Sequence, residues 1–136
     1  MLTSKLIQPQ IQEALAYCGH GSKILIADGN YPLAEKTGNA RKVYLGLTRG
    51  VPTVTQVLEA VLSAVNVEKA AVMVPSGGPE PEIFREFRQL LGGMELSGLG
   101  RYEFYDACMA DNAVVLAVST GEQRVFANIL LTIGCA

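Results

Sequence analysis

His20 is the one histidine of the chain, and glycines flank it in YCGHGSKILIADGNYP, residues 17–32. The apolar run KILIA follows and ends on Asp28. An imidazole titrates near neutrality, with an ordinary pKa of ~6.5, so it can both give and take a proton at pH 7. A carboxylate at the carboxyl end of a buried strand lies where open α/β sheets bind ligands. The pair therefore points to acid–base work on a small molecule. Each residue also has a plainer reading. His20 can cap the end of a helix through a last-turn carbonyl. Asp28 can head an Asp-Gly turn.

Other chemistries find no support. A dinucleotide fingerprint needs strand, glycine loop, then helix, whereas GHGS stands between a helix pattern and a strand. No phosphate-binding G-x-x-x-x-G-K-[ST] occurs, and no nucleophile elbow G-x-S-x-G that would make His20 part of a serine triad. Cys18, Cys108 and Cys135 are odd in number and far apart, which fits neither a disulfide framework nor a zinc site, and no metal is expected.

Two further segments carry groups suited to a sugar. RYEFYDA places Arg101 near Tyr102, Phe104 and Tyr105, and STGEQRVFANILL places Gly121, Glu122 and Asn128 between two apolar runs. Arg101, Tyr105 and Asn128 can bond sugar hydroxyls, and aromatic faces can cover the apolar side of a pyranose. Tyr102 and Phe104 read better as core or interface.

These residues need a frame. Pro9 to Tyr17 has helical spacing with Gly19 as a stop. KILIAD, KVYLGL and KAAVMVP are strand candidates, and NYPLAEKTGNA is a turn-rich loop. GVPTVTQVLEAVLSAV opens a helix, with Thr53 and Gln56 spaced for a capping box. PEPEIFREFRQLLGG is an amphipathic helix. RYEFYDACMA is read as a short strand or turn followed by a helix. AVVLAVST and NILLTIG are further apolar runs, and GEQRVFA between them is too short for a crossover helix. The alternation predicts one domain over 1–136, a three-layer α/β/α fold with a mainly parallel sheet. An antiparallel pair of the last two runs would make that sheet mixed.

The chain has 136 residues, 49% hydrophobic and 18% charged, with a net charge of −2. So apolar a small domain is expected to bury surplus surface in a subunit interface. The charge gives no case for nucleic acid or acidic membranes. Neither a signal peptide nor a spanning segment is read, and the cytoplasm is the expected compartment.

The segments GHGSKILIADGNYP, LTRGVPTVTQVLEAV, RYEFYDA and TGEQRVFANILLTIG, in this order, resemble the D-ribose pyranase and L-fucose mutarotase family. The resemblance implies interconversion of ring forms or anomers of a monosaccharide without a cofactor. It implies His20 as proton donor, Asp28 and Arg101 as sugar ligands, and Tyr105 at a position held by His or Tyr. It makes Phe126, Ala127 and Asn128 the terminal ligand loop. It also implies ring-shaped homo-oligomers, a decamer among them, with active sites near subunit contacts.

LTRGVPTVTQVL is similar to the ribose branch. RYEFYDA is similar to the fucose branch, and a fucose-like sugar is the expected substrate. Ring opening needs a proton delivered to the ring oxygen and one taken from the anomeric hydroxyl, and closure reverses both. One imidazole can serve in both directions, with the flanking glycines sparing it crowding. Asp28 would accept from a sugar hydroxyl or orient His20. The family usually has Tyr at Phe126. Either the second acid–base role moves to Tyr105 or Glu122, or this chain binds sugar without fast turnover, as a binding or regulatory protein.

Overall fold

Pro9 opens α1 (Pro9–Ala16) at a position whose N–H needs no partner, and the Gln8 side chain accepts from the Ile11 amide at 2.7 Å. The computed structural model describes all of residues 1–136. KILIA is the buried strand β1 (Lys23–Ala27), and β2 (Arg41–Tyr44) follows after the turns of 28–40. The capping box is present at α2 (Val54–Leu62). Thr53 Oγ1 accepts from the Gln56 amide at 3.2 Å, and Gln56 Oε1 accepts from the Thr53 amide at 2.9 Å. Then come β3 (Val67–Met73), α3 (Ile83–Leu90), β4 (Leu96–Leu99), α4 (Arg101–Met109), β5 (Val114–Ser119) and β6 (Ile129–Ile133).

Two expectations are corrected. RYEFYDACM is helical from Arg101 onward, and the strand lies before it, in LSGL. That strand pairs only with β3 at the sheet edge, with Leu96 and Leu99 half-exposed and Ser97 and Gly98 exposed, so no apolar run announces it. The last two strands do not pair with each other either. The sheet order is β2-β5-β1-β6-β3-β4, so β1 lies between β5 and β6. The connection 120–128 carries the chain past the end of β1, and β6 enters antiparallel to both β1 and β3. The sheet is mixed, as expected, by this different pairing. β1, β2 and β5 form one parallel group and β3 with β4 another, so five strands share a direction and β6 opposes them.

Strand residues alternate between two cores, as the period of two requires. On one face Ile24, Ile26, Leu116, Val118, Ile129 and Leu131 pack under α1, α2 and α3. On the other, Leu25, Ala27, Ala117 and Leu130 meet Phe104 and Cys108 of α4. Tyr31 and Leu33 complete that second cover, so the 28–40 segment acts as part of the third layer. Phe104 is core, as read; Tyr102 is exposed.

This topology sets the site. The carboxyl ends of β1, β2, β3, β4 and β5, with the start of β6, form one edge of the sheet. The starts of β1 and β3, with the end of β6, form the opposite edge. No helix is long and apolar enough to cross a membrane.

Candidate active site

Asp28 follows the last residue of β1 and is only 3% exposed. Its Oδ1 accepts from the Asn30 amide at 2.9 Å, an Asx turn. Its Oδ2 accepts from the Ala127 amide and from Asn128 Nδ2, both at 3.2 Å. Asn128 Oδ1 in turn accepts from the Asp28 amide at 2.9 Å. The turn reading is therefore present, and the same side chain also ties the end of β1 to the start of β6. Burial pushes the Asp28 carboxyl above its ordinary value, against these bonds, which pull it down.

Asp28 lines a pocket of about 100 Å³ together with Asn30, Tyr31, Arg101, Tyr105, Phe126 and Asn128. Met73, at the end of β3, and the exposed Val125 also line it. Four strand ends meet here, at β1, β3, β4 and β6. Arg101 is the first residue of α4 and makes no ion pair within the chain. The Tyr105 ring stands edge-on to Tyr31 at 5.4 Å and carries the Lys36 ammonium 5.7 Å from its centroid. Tyr31 donates its hydroxyl to the Lys36 carbonyl at 2.8 Å, and burial raises its phenol far out of the working range. Tyr31 is thus a neutral wall. Phe126 holds a left-handed backbone, φ 59°, which turns the loop so that the Ala127 amide and the Asn128 side chain face Asp28.

Glu122 stands elsewhere. It does not line this pocket, and both its oxygens are engaged. Oε1 accepts from the Arg124 amide at 3.1 Å and from Arg124 Nε at 3.0 Å. Oε2 accepts from Arg124 Nη2 at 3.1 Å and from the Val54 amide of α2 at 3.3 Å. Arg124 also pairs with Glu86 of α3. Burial alone would raise the Glu122 carboxyl, but the Arg124 bonds outweigh it and hold it below the ordinary range. Its position favours a clamp that ties 120–128 to α2 and α3, not a second acid–base group.

His20 is at the other edge of the sheet. It precedes β1, and the Gly21 amide donates to the Ile133 carbonyl at the end of β6. The five residues of β1 put roughly 16 Å of strand between His20 and Asp28. Within one chain the two cannot touch the same sugar, and Asp28 cannot orient His20. The helix-cap reading fails as well, because α1 ends at Ala16 and the imidazole bonds Glu68 instead, Nε2 to Oε2 at 2.9 Å. A carboxylate accepts, so Nε2 is the donor in this bond and Nδ1 is left unengaged. The His20 side chain is 59% exposed. It borders a separate depression of about 380 Å³ with Cys18, Asn66 and Cys135. Gly21 has φ 88°, which explains a glycine there; a side chain on Gly19 or Gly21 would meet nothing nearby, so crowding is not the reason for either.

Sequence reasoning missed Glu68, Asn30, Tyr31 and Met73. Glu68 lies in VEKAAVM, whose polar residues look like an ordinary solvent face. Tyr31 and Asn30 lie in a segment read only as loop. No three His, Cys, Asp or Glu side chains gather as a metal site.

The whole chain, residues 1–136, matches the model of the RbsD / FucU transport protein family, and the chain belongs to that family. It is 30% identical over 134 residues to a D-ribose pyranase of Clostridium novyi, covering 98% of each chain. It is 29% identical over 134 residues to a D-ribose pyranase of Chloroflexus aggregans, again covering 98% of each. A fucose mutarotase of Streptococcus pneumoniae, solved in complex with L-fucose, is 28% identical with a TM-score of 0.80, over 96% of this chain and 94% of that one. Bacillus subtilis RbsD, solved with D-ribose, shares the fold with a TM-score of 0.85 at 24% identity, over 100% and 99% of the two chains.

Proposed function

We propose, from that family membership, that this chain is a cofactor-independent monosaccharide mutarotase or pyranase whose active site is shared between two copies. The observation that carries the reading is the pocket at Asp28. A buried carboxylate, an unpaired guanidinium and a carboxamide converge there beside an aromatic face, the lining of a sugar site. At about 100 Å³ the pocket is smaller than usual small-molecule sites of ~300–1,000 Å³. A second copy laid against this edge would supply the missing wall. The exposed His20 edge is a suitable donor, with Nδ1 of the imidazole unengaged. Such use of opposite edges suits a closed ring of copies.

The chemistry follows from these roles. His20 of one copy, as the imidazolium, gives its Nδ1 proton to the ring oxygen of a sugar held by Asp28, Arg101, Tyr105, Ala127 and Asn128 of the next, and takes it back on closure. A second group takes the anomeric proton, the ring opens to the aldehyde, and rotation before closure exchanges anomers or ring sizes. Glu68 fixes the tautomer and direction of the imidazole. Asp28 accepts from a sugar hydroxyl, and its raised pKa leaves it able to share that proton. Tyr105 is the group in the pocket with a hydroxyl to spare, and it relays the anomeric proton by passing its own to solvent.

Arg101 and Tyr105 in one pocket support a fucose-like pyranose over ribose, since a guanidinium fork can hold two adjacent hydroxyls. Relatives named for ribose and for fucose are both present among those found. One observation favours a second reading, a sugar-binding protein without fast turnover: Phe126 offers no hydroxyl to the pocket.

Saturation-transfer NMR on fucose, galactose and ribose tests the proposal, because it reports binding and exchange together. Accelerated exchange, fastest for a fucose-like sugar, is expected. Binding with no acceleration on any of the three would favour the second reading, and no binding would refute both.

A further inference from the structure

The segments that follow β1, β2 and β5 run side by side at the Asp28 edge and leave a second opening between them. It is a crevice of about 440 Å³ whose polar lining includes Asn30, Thr48, Arg49, Glu122 and Gln123. We propose that this crevice is a separate ligand site, built to hold an oxyanion such as a phosphoryl group.

The donors there are unspent. Arg49 makes no ion pair, although every other crevice charge is balanced. The amides of Gly46, Arg49 and Gln123 donate to no acceptor in the chain. The Thr48 hydroxyl and the carboxamides of Asn30 and Gln123 are likewise without a protein partner. A guanidinium fork beside free amides and a hydroxyl is the donor set that holds phosphate-like oxygens. The acid in the lining, Glu122, does not oppose this, since Arg124 and the Val54 amide take up both its oxygens.

The walls are fixed in advance. Gly50 donates to the Gly121 carbonyl at 2.6 Å, and Gly121 donates to the Pro52 carbonyl at 2.9 Å. Leu47 donates to Val51, and Val51 back to Thr48, at 3.0 and 3.1 Å. A side chain on Gly121 would stand 2.4 Å from the Thr48 carbonyl oxygen and 2.5 Å from that of Val51. Only glycine lets the 46–50 loop seat against 121–123. A loop held this way loses little freedom on binding.

The site adjoins the sugar pocket, since Asn30 lines both. The anion can be free, or it can be carried on a monosaccharide that reaches across. The proposal does not depend on sugar turnover at Asp28.

Titration calorimetry of the full chain with inorganic phosphate, at ionic strength held constant with chloride, tests it. Saturable binding to wild type is expected, weakened at least ~10-fold by Arg49→Ala, or ~1.4 kcal/mol, and less by Arg49→Lys. Arg49 bonds nothing in the chain, so both variants should melt like wild type. Binding of the unphosphorylated sugar should be unchanged in Arg49→Ala. A sugar phosphate that binds more tightly than phosphate and sugar separately identifies a spanning ligand, and one no tighter than phosphate identifies a free anion. No saturation by phosphate at ~10 mM, or equal affinity in Arg49→Ala, would overturn the site.

Discussion

Asp28 and Asn128 are bonded to each other twice across 100 residues of sequence: the Asp28 amide donates to Asn128 Oδ1, and Asn128 Nδ2 donates to Asp28 Oδ2. The pair joins the end of β1 to the start of β6, and both residues line the same pocket. Asn128→Asp would set two carboxylates together that cannot both ionise. We expect sugar binding to be lost. We also expect the variant to lose stability, relative to wild type, as pH rises from 4 to 8. Melting curves across that range check it, and parallel curves for the two proteins would contradict it.

Phe126→Tyr tests the missing hydroxyl. The aromatic ring and its left-handed backbone stay, and a proton donor is added at the pocket wall. A positioned acid or base is worth ~10²–10⁴-fold, so a rise of at least ~10-fold in exchange rate is expected, with little change in sugar affinity. If Tyr105 already fills the role, Phe126→Tyr is near neutral and Tyr105→Phe is crippling. Exchange rates of both variants separate these, and no effect from either would remove both residues from proton transfer.

Glu68→Gln tests the positioning of His20. Gln can still bond the ring but no longer selects the Nε2-protonated tautomer. Turnover should fall ~10-fold or more while sugar affinity holds, and Glu68→Asp should restore part of it. An affinity loss with turnover intact would assign Glu68 to scaffold.

The Glu122 clamp makes a pH prediction. Its carboxyl is held below the ordinary ~4.3, so its stabilisation is present above that value and lost as pH falls through the lower, folded one. Asp28 works oppositely. Its raised carboxyl favours folding at low pH, and that contribution is lost as pH rises through the folded value. Glu122→Gln should cost ~1–3 kcal/mol at pH 7, from a lost α2 cap and a half-exposed pair, with the difference shrinking toward pH 3. Denaturant melts at both pH values check this, and a deficit as large at pH 3 as at pH 7 would contradict it.

Much of this architecture was legible because buried strands and amphipathic helices write their periods directly. β1, α2 and its capping box follow from KILIA and from Thr53 with Gln56. β4 was not legible, since LSGL is a half-exposed edge strand with no apolar run. Strand pairing was misread because neighbours in sequence need not be neighbours in a sheet, and β1 stands between β5 and β6. In the site, Asp28, Arg101, Tyr105, Phe126 and Asn128 were legible as a group and do meet. Glu68 was not, because an acid on a strand's polar face carries no mark of its partner. The separation of His20 from Asp28 follows from strand direction: one precedes β1 and the other follows it.

That separation gives the most direct test. His20→Ala and Asp28→Asn should each abolish exchange while leaving the fold intact. Mixed within one oligomer, an Asp28→Asn copy still offers His20 and a His20→Ala copy still offers Asp28. Co-expressed in equal amounts, the two inactive variants should recover up to ~25% of wild-type exchange, the share of contacts that join both intact residues at random. No recovery, in an assembly shown to contain both variants, would contradict a site built from two copies.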